Sequence, residues 1–257
     1  MVHFHKYEGA GNDFIIIDDR NRSFDSMNHT LIRRMCDRHF GIGADGLILL
    51  RTTEDHLPEM LYYNSDGFPG SLCGNGGRCF SAFARSLGFF SSKNEFLSSD
   101  GKHAVKFNEE EKISLEFHPP RILSSSADVY VLDTGSPHYV TWVNELSMDV
   151  VAEGRRIRNS EAFREKGINV NFIKTEEELL LIKTYERGVE DETLACGTGI
   201  VAAAIASHHS GRIQRSPVSV RAKGGLLQVS FEKDAGSYKN IWLTGPAKKV
   251  FEGDYPC

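Results

Sequence analysis

The sequence predicts an α+β fold built twice, as two similar domains in one chain. The signature Cys-Gly-x-Gly occurs at Cys73-Gly74-Asn75-Gly76 and again at Cys196-Gly197-Thr198-Gly199, and each copy opens a helix-like run. Each half also carries several strand-like segments, and Pro119-Pro120 followed by Ser124-Ser125-Ser126 breaks the chain between them. Glycine is 24 of the 257 residues, so a given cysteine has glycine at both +1 and +3 by chance roughly 1 time in 100. The repeat therefore reads as a duplication.

In chain order, Phe14 to Ile17, Gly46 to Leu50, Glu59 to Tyr63, Lys112 to Phe117, Val129 to Leu132, Asn169 to Ile173 and Leu179 to Tyr185 have the apolar, β-branched and aromatic content of strands. A helix is expected over Thr30 to Arg38, with Leu31, Ile32, Met35 and Cys36 as its stripe, and another near Ser160 to Arg164. After the first signature, Cys79, Phe80, Phe83, Ala84 and Leu87 recur at three- and four-residue spacing before Gly88, the pattern of a core-facing helix and its stop. After the second, Ile200 to Ala206 is apolar on every side, so that helix is expected to be buried all round and to end near Ser210-Gly211.

Each signature cysteine thus falls at a helix N-terminus, where first-turn N–H groups lack intrahelical partners and the helix dipole is positive. Such a place favours thiolate, lowering a cysteine pKa from its free value of about 8.5. It also offers the Gly-x-Gly amides to an anion such as a carboxylate, with glycine allowing close approach. Less chemical readings are a Cys73–Cys196 structural disulfide or a metal site. The first is disfavoured by an N-terminus that does not resemble a signal peptide, which points to a reducing cytoplasm. The second is disfavoured by the absence of Cys-x-x-Cys and by the Cys73 to Cys79 spacing. Cys36 and Cys79 read as core thiols, and Cys257 as an exposed chain end.

With 40% hydrophobic and 25% charged residues and a formal charge of −5, the chain fits a soluble enzyme of one large or two ordinary domains. It contains no run of eighteen apolar residues, so no membrane span is expected. The short basic cluster Arg155-Arg156 with Arg158 lacks interleaved aromatics, which gives little support to nucleic-acid binding. The expected partner is a small molecule, held where the two signatures face each other across a cleft between the domains.

Two opposed thiols suit inversion of a carbon centre. One removes a proton from one face and the other returns a proton to the opposite face, both tuned near neutral pH. Near-attack distances of about 3 to 3.5 Å from each sulfur to the carbon imply sulfurs roughly 6 to 7 Å apart. Backbone amides on a substrate carboxylate would stabilise the carbanion, and no step requires a cofactor or metal. A redox-sensing dithiol protein remains open as an alternative.

Further blocks accompany the two signatures: Gly9-Ala10-Gly11-Asn12-Asp13-Phe14, Arg38 with Gly41-Ile42-Gly43-Ala44-Asp45, Asn64-Ser65-Asp66-Gly67, Pro137-His138, Asn169-Val170-Asn171-Phe172, Glu186-Arg187-Gly188-Val189 and Gly245-Pro246-Ala247. In these, over nearly its full length, the chain resembles the diaminopimelate epimerase family. The resemblance implies interconversion of LL- and meso-2,6-diaminopimelate in lysine biosynthesis, without pyridoxal phosphate or metal, and a homodimer, although no interface is legible. It implies two mixed sheets each curled around a central helix, with domains at 1–118 plus 247–257 and at 119–246. It assigns Cys73 and Cys196 as the acid and base pair, and His138 and Glu186 as groups beside the thiols. Asn12, Asn64, Asn169 and Arg187 would bind substrate, including its distal end, and Gly74-Asn75 and Gly197-Thr198 would cradle the reacting carboxylate. The related proline racemase group shares the paired-cysteine logic and is the alternative enzyme reading.

The chain departs from the family pattern in four places. The usual Asp-Gln is Asp45-Gly46, the usual Gly-Asn-Pro-His is Gly135-Ser136-Pro137-His138, Phe68-Pro69-Gly70-Ser71 replaces a more acidic segment, and Glu190-Asp191 lengthens the run before Cys196. The first two shorten or remove polar side chains that reach substrate in the family.

Overall fold

A computed structural model describes residues 1–90, 94–108, 112–234 and 236–256; Cys257, expected to be exposed, lies outside them. The chain forms two compact units, Met1–Leu115 with Gly245–Cys257, and Glu116–Thr244.

The first unit contains, in chain order, β1 (Val2–Gly9), β2 (Asn12–Asp18), α1 (His29–Cys36), β3 (Gly46–Thr52), β4 (Pro58–Asn64), α2 (Gly74–Ser86), β5 (Glu95–Ser98), β6 (Gly101–Phe107) and the start of β7 (Lys112–Phe117). The second holds β8 (Arg121–Ser125), β9 (Val129–Asp133), β10 (Pro137–Trp142), α3 (Val150–Arg158), β11 (Asn169–Glu176), β12 (Leu179–Glu186), β13 (Asp191–Thr193), α4 (Gly197–His209), β14 (Val218–Ala222), β15 (Gly225–Asp234) and most of β16 (Ser237–Pro246). The last strand, β17 (Lys248–Tyr255), belongs to the first unit and pairs with β1.

Strand pairing shows the duplication directly. From β17 through β1, β2, β3, β4, β5, β6 to β7, neighbours pair antiparallel, antiparallel, parallel, antiparallel, parallel, antiparallel, antiparallel. From β8 through β9, β10, β11, β12, β14, β15 to β16 the succession is the same. Parallel neighbours need a crossover connection, and the helices occupy these crossovers in matching order. α1 and α2 connect β2 to β3 and β4 to β5, and α3 and α4 connect β10 to β11 and β12 to β14. The edge strand that β8 supplies in sequence in one unit is supplied in the other by β17 from the opposite end of the chain.

Each sheet wraps a central helix. α2 lies against β1, β2, β3, β4 and β17, and α4 against β9, β10, β11, β12, β14 and β15. α4 is buried from Gly199 through Ser207, as its all-round apolar sequence requires. Gly88 (φ +85°) and Gly211 (φ +76°) stand in the left-handed region just past the two helices and stop them where the sequence placed the stops. The strands covered on both faces are the ones with unbroken apolar runs: Phe14 to Ile17 and Leu47 to Leu50 are all buried. Ile15, Ile17, Leu47 and Leu49 face α1 residues Ile32, Met35 and Cys36, so the opposite face, with Phe14 and Ile48, is left for α2.

Two helix expectations need correction. The helix expected to reach Arg38 stops at Cys36, because Asp37 is extended and the Met35 carbonyl accepts instead from the Ile42 and Gly43 N–H groups as the chain folds back. Ser160 to Arg164 is not helical. Its N–H groups make isolated turns onto the Ser160 carbonyl, and the helix of this region is α3, upstream, capped by the Asp149 carboxylate accepting from Ala152 N.

α3 packs unusually closely on β12. A Cβ at Gly154 would lie 2.4 Å from Tyr185 Cβ and 2.5 Å from its Cγ, and neither atom can yield without moving the strand. Gly154→Ala should therefore lower the unfolding free energy by about 1 to 3 kcal/mol in urea titration, despite the roughly 1 kcal/mol that alanine gains over glycine inside a helix. A net stabilisation would contradict this packing.

Candidate active site

In the first unit, Cys73 is the N-cap of α2, with extended backbone (φ −96°, ψ 119°), and its Sγ accepts from Gly76 N at 3.5 Å. The sulfur thus takes the place a Ser or Asp oxygen fills at an ordinary helix start. Around it lies an amide network: Cys73 Sγ is 3.4 Å from Asn12 Oδ1, and Asn75 Nδ2 donates to the same oxygen at 3.2 Å. The Asn12 amide donates to Asp45. Asn75 Oδ1 accepts from Arg78 Nη2 at 2.8 Å, and Arg78, fully buried, also donates to the carbonyls of Gly74 and Pro246. Burial pushes the Arg78 pKa below its ordinary value, while the Cys79 and Cys73 sulfurs and Glu8 oppose the shift. Arginine remains charged through such a shift, so a cation bonds to first-turn residues Gly74 and Asn75 of the helix that presents Cys73.

Asn12 is held from behind by charge. Arg38 donates to both Asp13 and Asp45, and Lys6 pairs with Asp13 at 2.8 Å. Burial pushes the Asp13 carboxyl up, but the Arg38 and Lys6 hydrogen bonds outweigh it and hold it at about 2. Asn64 ends β4 directly opposite Gly46, on the same sheet face as Phe14, Ile48 and Asn12. That is the face that meets α2, and Asn64 itself is exposed.

In the second unit, Cys196 is the N-cap of α4, nearly buried, and its Sγ lies 3.4 Å from Thr198 Oγ1. Thr198 Oγ1 is 2.9 Å from His138 Nε2 and 3.2 Å from Ser136 Oγ, which is itself 2.9 Å from His138 Nε2. His138 Nδ1 faces Asn171 Nδ2 at 3.1 Å. The Asn171 orientation follows from its other partners: Nδ2 donates to the Tyr139 carbonyl and Oδ1 accepts from the Thr184 hydroxyl. His138 Nδ1 is therefore the acceptor, and the ring proton sits on Nε2. Burial, with a further contribution from Arg187, pushes the His138 pKa down to about 3, so the ring is neutral at physiological pH. His138 Nε2–H then donates toward the hydroxyls, leaving the Thr198 O–H free to donate to Cys196 Sγ.

Asn169 Nδ2 donates to Ser136 Oγ and to the Pro137 carbonyl, and its Oδ1 accepts from Arg187 N at 2.9 Å. Glu186 ends β12, half-buried, and Arg187 follows it, exposed, with its guanidinium on the Lys166 carbonyl. Asn169, Arg187, Ser136, His138 and Thr198 thus form one connected set leading to Cys196. Ser136, the shortened residue of the Gly-Ser-Pro-His block, is a member of that set rather than a gap in it. Asn171, Arg78 and Asp45 were not among the expected site residues. Asn171 lies in the Asn-x-Asn of β11, where the alternation of a strand already places it on the same face as Asn169.

The glycine at +3 of each signature has a packing reason distinct from ligand approach. A Cβ at Gly76 would stand 3.3 Å from both Ile48 and Phe14, and one at Gly199 would stand 2.5 Å from Asn171 Oδ1 and 3.4 Å from His138 Cε1. Both helices are pressed onto their sheets at the first turn. The remaining described thiols are buried, with Cys36 pushed up to about 12 by burial and Cys79 pushed up by the same cause. Among the described residues, His3, His5 and Glu252 bring ligand-type atoms within 4.8 Å of one another, but Lys249 already pairs with Glu252 and no expected site residue takes part. No helix of the described residues is long and apolar enough to cross a membrane.

Comparison with known proteins shows the family and the fold. The family model for diaminopimelate epimerase matches residues 4–122 and 130–250. The diaminopimelate epimerase of Flavobacterium psychrophilum is 46% identical, over 96% of this chain and 98% of the relative, and that of Aquifex aeolicus is 37% identical over 98% and 97%. Among solved structures, a PhzF-family phenazine biosynthesis protein from Bacillus anthracis aligns with a TM-score of 0.72 at 14% identity, covering 100% of this chain and 99% of that one. A probable proline racemase from Agrobacterium radiobacter aligns with a TM-score of 0.72 at 12% identity, covering 100% and 93%. These two likenesses establish a shared fold. The family match and the identity over nearly the whole length establish more: this chain belongs to the diaminopimelate epimerase family.

Proposed function

We propose that the protein interconverts LL- and meso-2,6-diaminopimelate without cofactor, as a step of lysine biosynthesis, using Cys73 and Cys196 as the proton carriers. The observation that carries this reading is that the two thiols occupy equivalent N-caps in a duplicated fold, each with hydrogen bonds aimed at sulfur. One cysteine, as thiolate, takes the α-proton, and the other, as thiol, delivers its proton to the opposite face. The enzyme is left with the two protonation states exchanged, ready for the reverse direction. The α-carboxylate would rest on first-turn N–H groups of α2 and α4, at Gly74-Asn75 and Gly197-Thr198, where charge growing on its oxygens in the carbanion is stabilised. Asn12, Asn64, Asn169 and Arg187 would hold the rest of the substrate and Glu186 the reacting amine. Work in the cytoplasm as a homodimer belongs to the same proposal, on the strength of the family membership.

Incubation with LL-diaminopimelate in deuterated water, without added cofactor, tests the reading. Meso product carrying α-deuterium is the expected result. Absence of exchange in fully reduced protein would overturn it, and exchange into proline derivatives instead would move the assignment to the racemase alternative.

Cys73→Ser and Cys196→Ser should each lower steady-state epimerisation by at least about 10³-fold with circular dichroism and melting temperature retained. Near-normal turnover in either variant would refute the two-thiol scheme.

Thr198→Val removes the hydroxyl 3.4 Å from Cys196 Sγ, which can donate to a thiolate there, so the pKa of that thiol, read from the pH dependence of its alkylation, should rise by roughly one unit. An unchanged profile would show that the hydroxyl does not support the thiolate.

His138 also links the site to stability. Its folded pKa, about 3, lies below an unfolded value of about 6.5, so the unfolded chain binds the extra proton first. Stability from this group is complete above about pH 7 and is lost as pH falls, by about 2 kcal/mol at pH 5 relative to pH 8. Urea titrations of wild type and His138→Gln at the two pH values should differ in slope by that amount, and parallel pH dependences would contradict a buried neutral imidazole.

A further inference from the structure

In the first unit, the side chain missing at Gly46 is replaced in space by a neighbour. Gly46 is a buried residue in β3, a position where glycine usually marks close approach of another group. A Cβ there would lie 2.5 Å from Tyr62 Cε2, 2.6 Å from the Tyr63 carbonyl oxygen and 3.0 Å from the Tyr62 hydroxyl. On the other edge of the ring, a Cβ at Gly70 would lie 2.7 Å from Cδ1 and Cε1 of the same tyrosine and 3.0 Å from Asn64 Oδ1. Gly46 and Gly70 therefore form a slot one aromatic ring thick, and Tyr62 fills it.

The direction of the ring follows from strand alternation. In β4, Tyr62 and Asn64 project to one face, opposite Ile48 and Gly46 of β3, while Tyr63 projects to the other and joins the α1 core. The Tyr62 face carries Asn12 and Phe14 on β2, with the Phe14 and Tyr62 rings edge to face at 6.1 Å. Phe14 in turn is the residue against which Gly76, three residues past Cys73, is pressed. The hydroxyl thus lies in the row between Phe14 and Asn64, where a side chain on residue 46 would have pointed. The resemblance to the family places Gln at that position.

We propose that Tyr62 is a specificity-determining residue whose hydroxyl binds the same end of the substrate as Asn64, in place of a polar side chain at residue 46. The proposal rests on the function proposed above and names one more substrate contact for it. A phenol both donates and accepts, so it can meet either the carboxylate or the ammonium of an amino-acid terminus. Its two side-chain torsions are fixed by the glycine slot, so little conformational freedom is lost on binding. Gly46, Gly70 and Tyr62 form one unit: a larger residue at either glycine would displace the ring.

Kinetics of Tyr62→Phe with LL-diaminopimelate test this. Removing one hydrogen bond made equally in ground and transition state should raise KM roughly 5- to 10-fold with kcat within about 2-fold and the melting temperature unchanged. An unchanged KM in Tyr62→Phe, or a lowered melting temperature without a change in KM, would overturn the proposal and leave Tyr62 a packing residue. Inactivity of the wild type toward diaminopimelate would instead fail the underlying function, and the proposal with it.

Discussion

The rest of the structure depends on what is done with the unpaired N–H groups at the start of a buried helix. α2 and α4 are enclosed by their sheets, so their first turns open in surroundings where an unsatisfied donor is costly. In both units a cysteine occupies the N-cap, and around Cys73 its sulfur takes up one of those donors directly. Glycine three residues on lets each helix press against the strand residues that complete the site. The packing of each helix start and the placement of its cysteine thus share one constraint.

The two units solve the problem with different chemistry. Around Cys73 the partners are amides backed by charge, running from Arg78 through Asn75 and Asn12 to Asp45, Arg38 and Asp13. Around Cys196 they are hydroxyls backed by a neutral imidazole, whose orientation is fixed by Asn171. A duplicated backbone therefore does not produce two identical thiols. Fixed amide dipoles and a buried cation keep their direction during a reaction, whereas a hydroxyl between histidine and sulfur can rotate to donate to a thiolate or accept from a thiol. The asymmetry suits the proposed reaction, in which one sulfur starts as thiolate and the other as thiol.

Much of this was legible in the sequence, and the exceptions have physical causes. The central helices and their stops followed from apolar spacing and from Gly88 and Gly211, and the doubly covered strands from their unbroken apolar runs. The end of α1 was misplaced because Arg38 extends the helical pattern, while the decisive event is the Met35 carbonyl accepting from residues beyond a turn. Ser160 to Arg164 has helix-like composition but ends in turns. The pairing of β17 with β1 joins opposite ends of the chain, and nothing local in Lys248–Tyr255 announces a partner at Val2–Gly9. Arg78 was not legible because a polar residue in an apolar pattern does not reveal whether it faces solvent or completes a buried network, whereas Asn171 was marked by its strand alternation with Asn169.

The four departures from the family pattern fall outside the helix starts. Gly46 lies on β3, and Gly70 and Ser136 lie in loops, and each is met by a neighbour: the Tyr62 ring at 46 and 70, and His138 and Thr198 at the Ser136 hydroxyl. A first-turn residue has no such latitude, because a Cβ at Gly76 or Gly199 would meet the sheet and any shift would move the sulfur with it. In the proposed function, proton transfer falls to positions that the packing fixes, and substrate discrimination to positions where a neighbour fills the space.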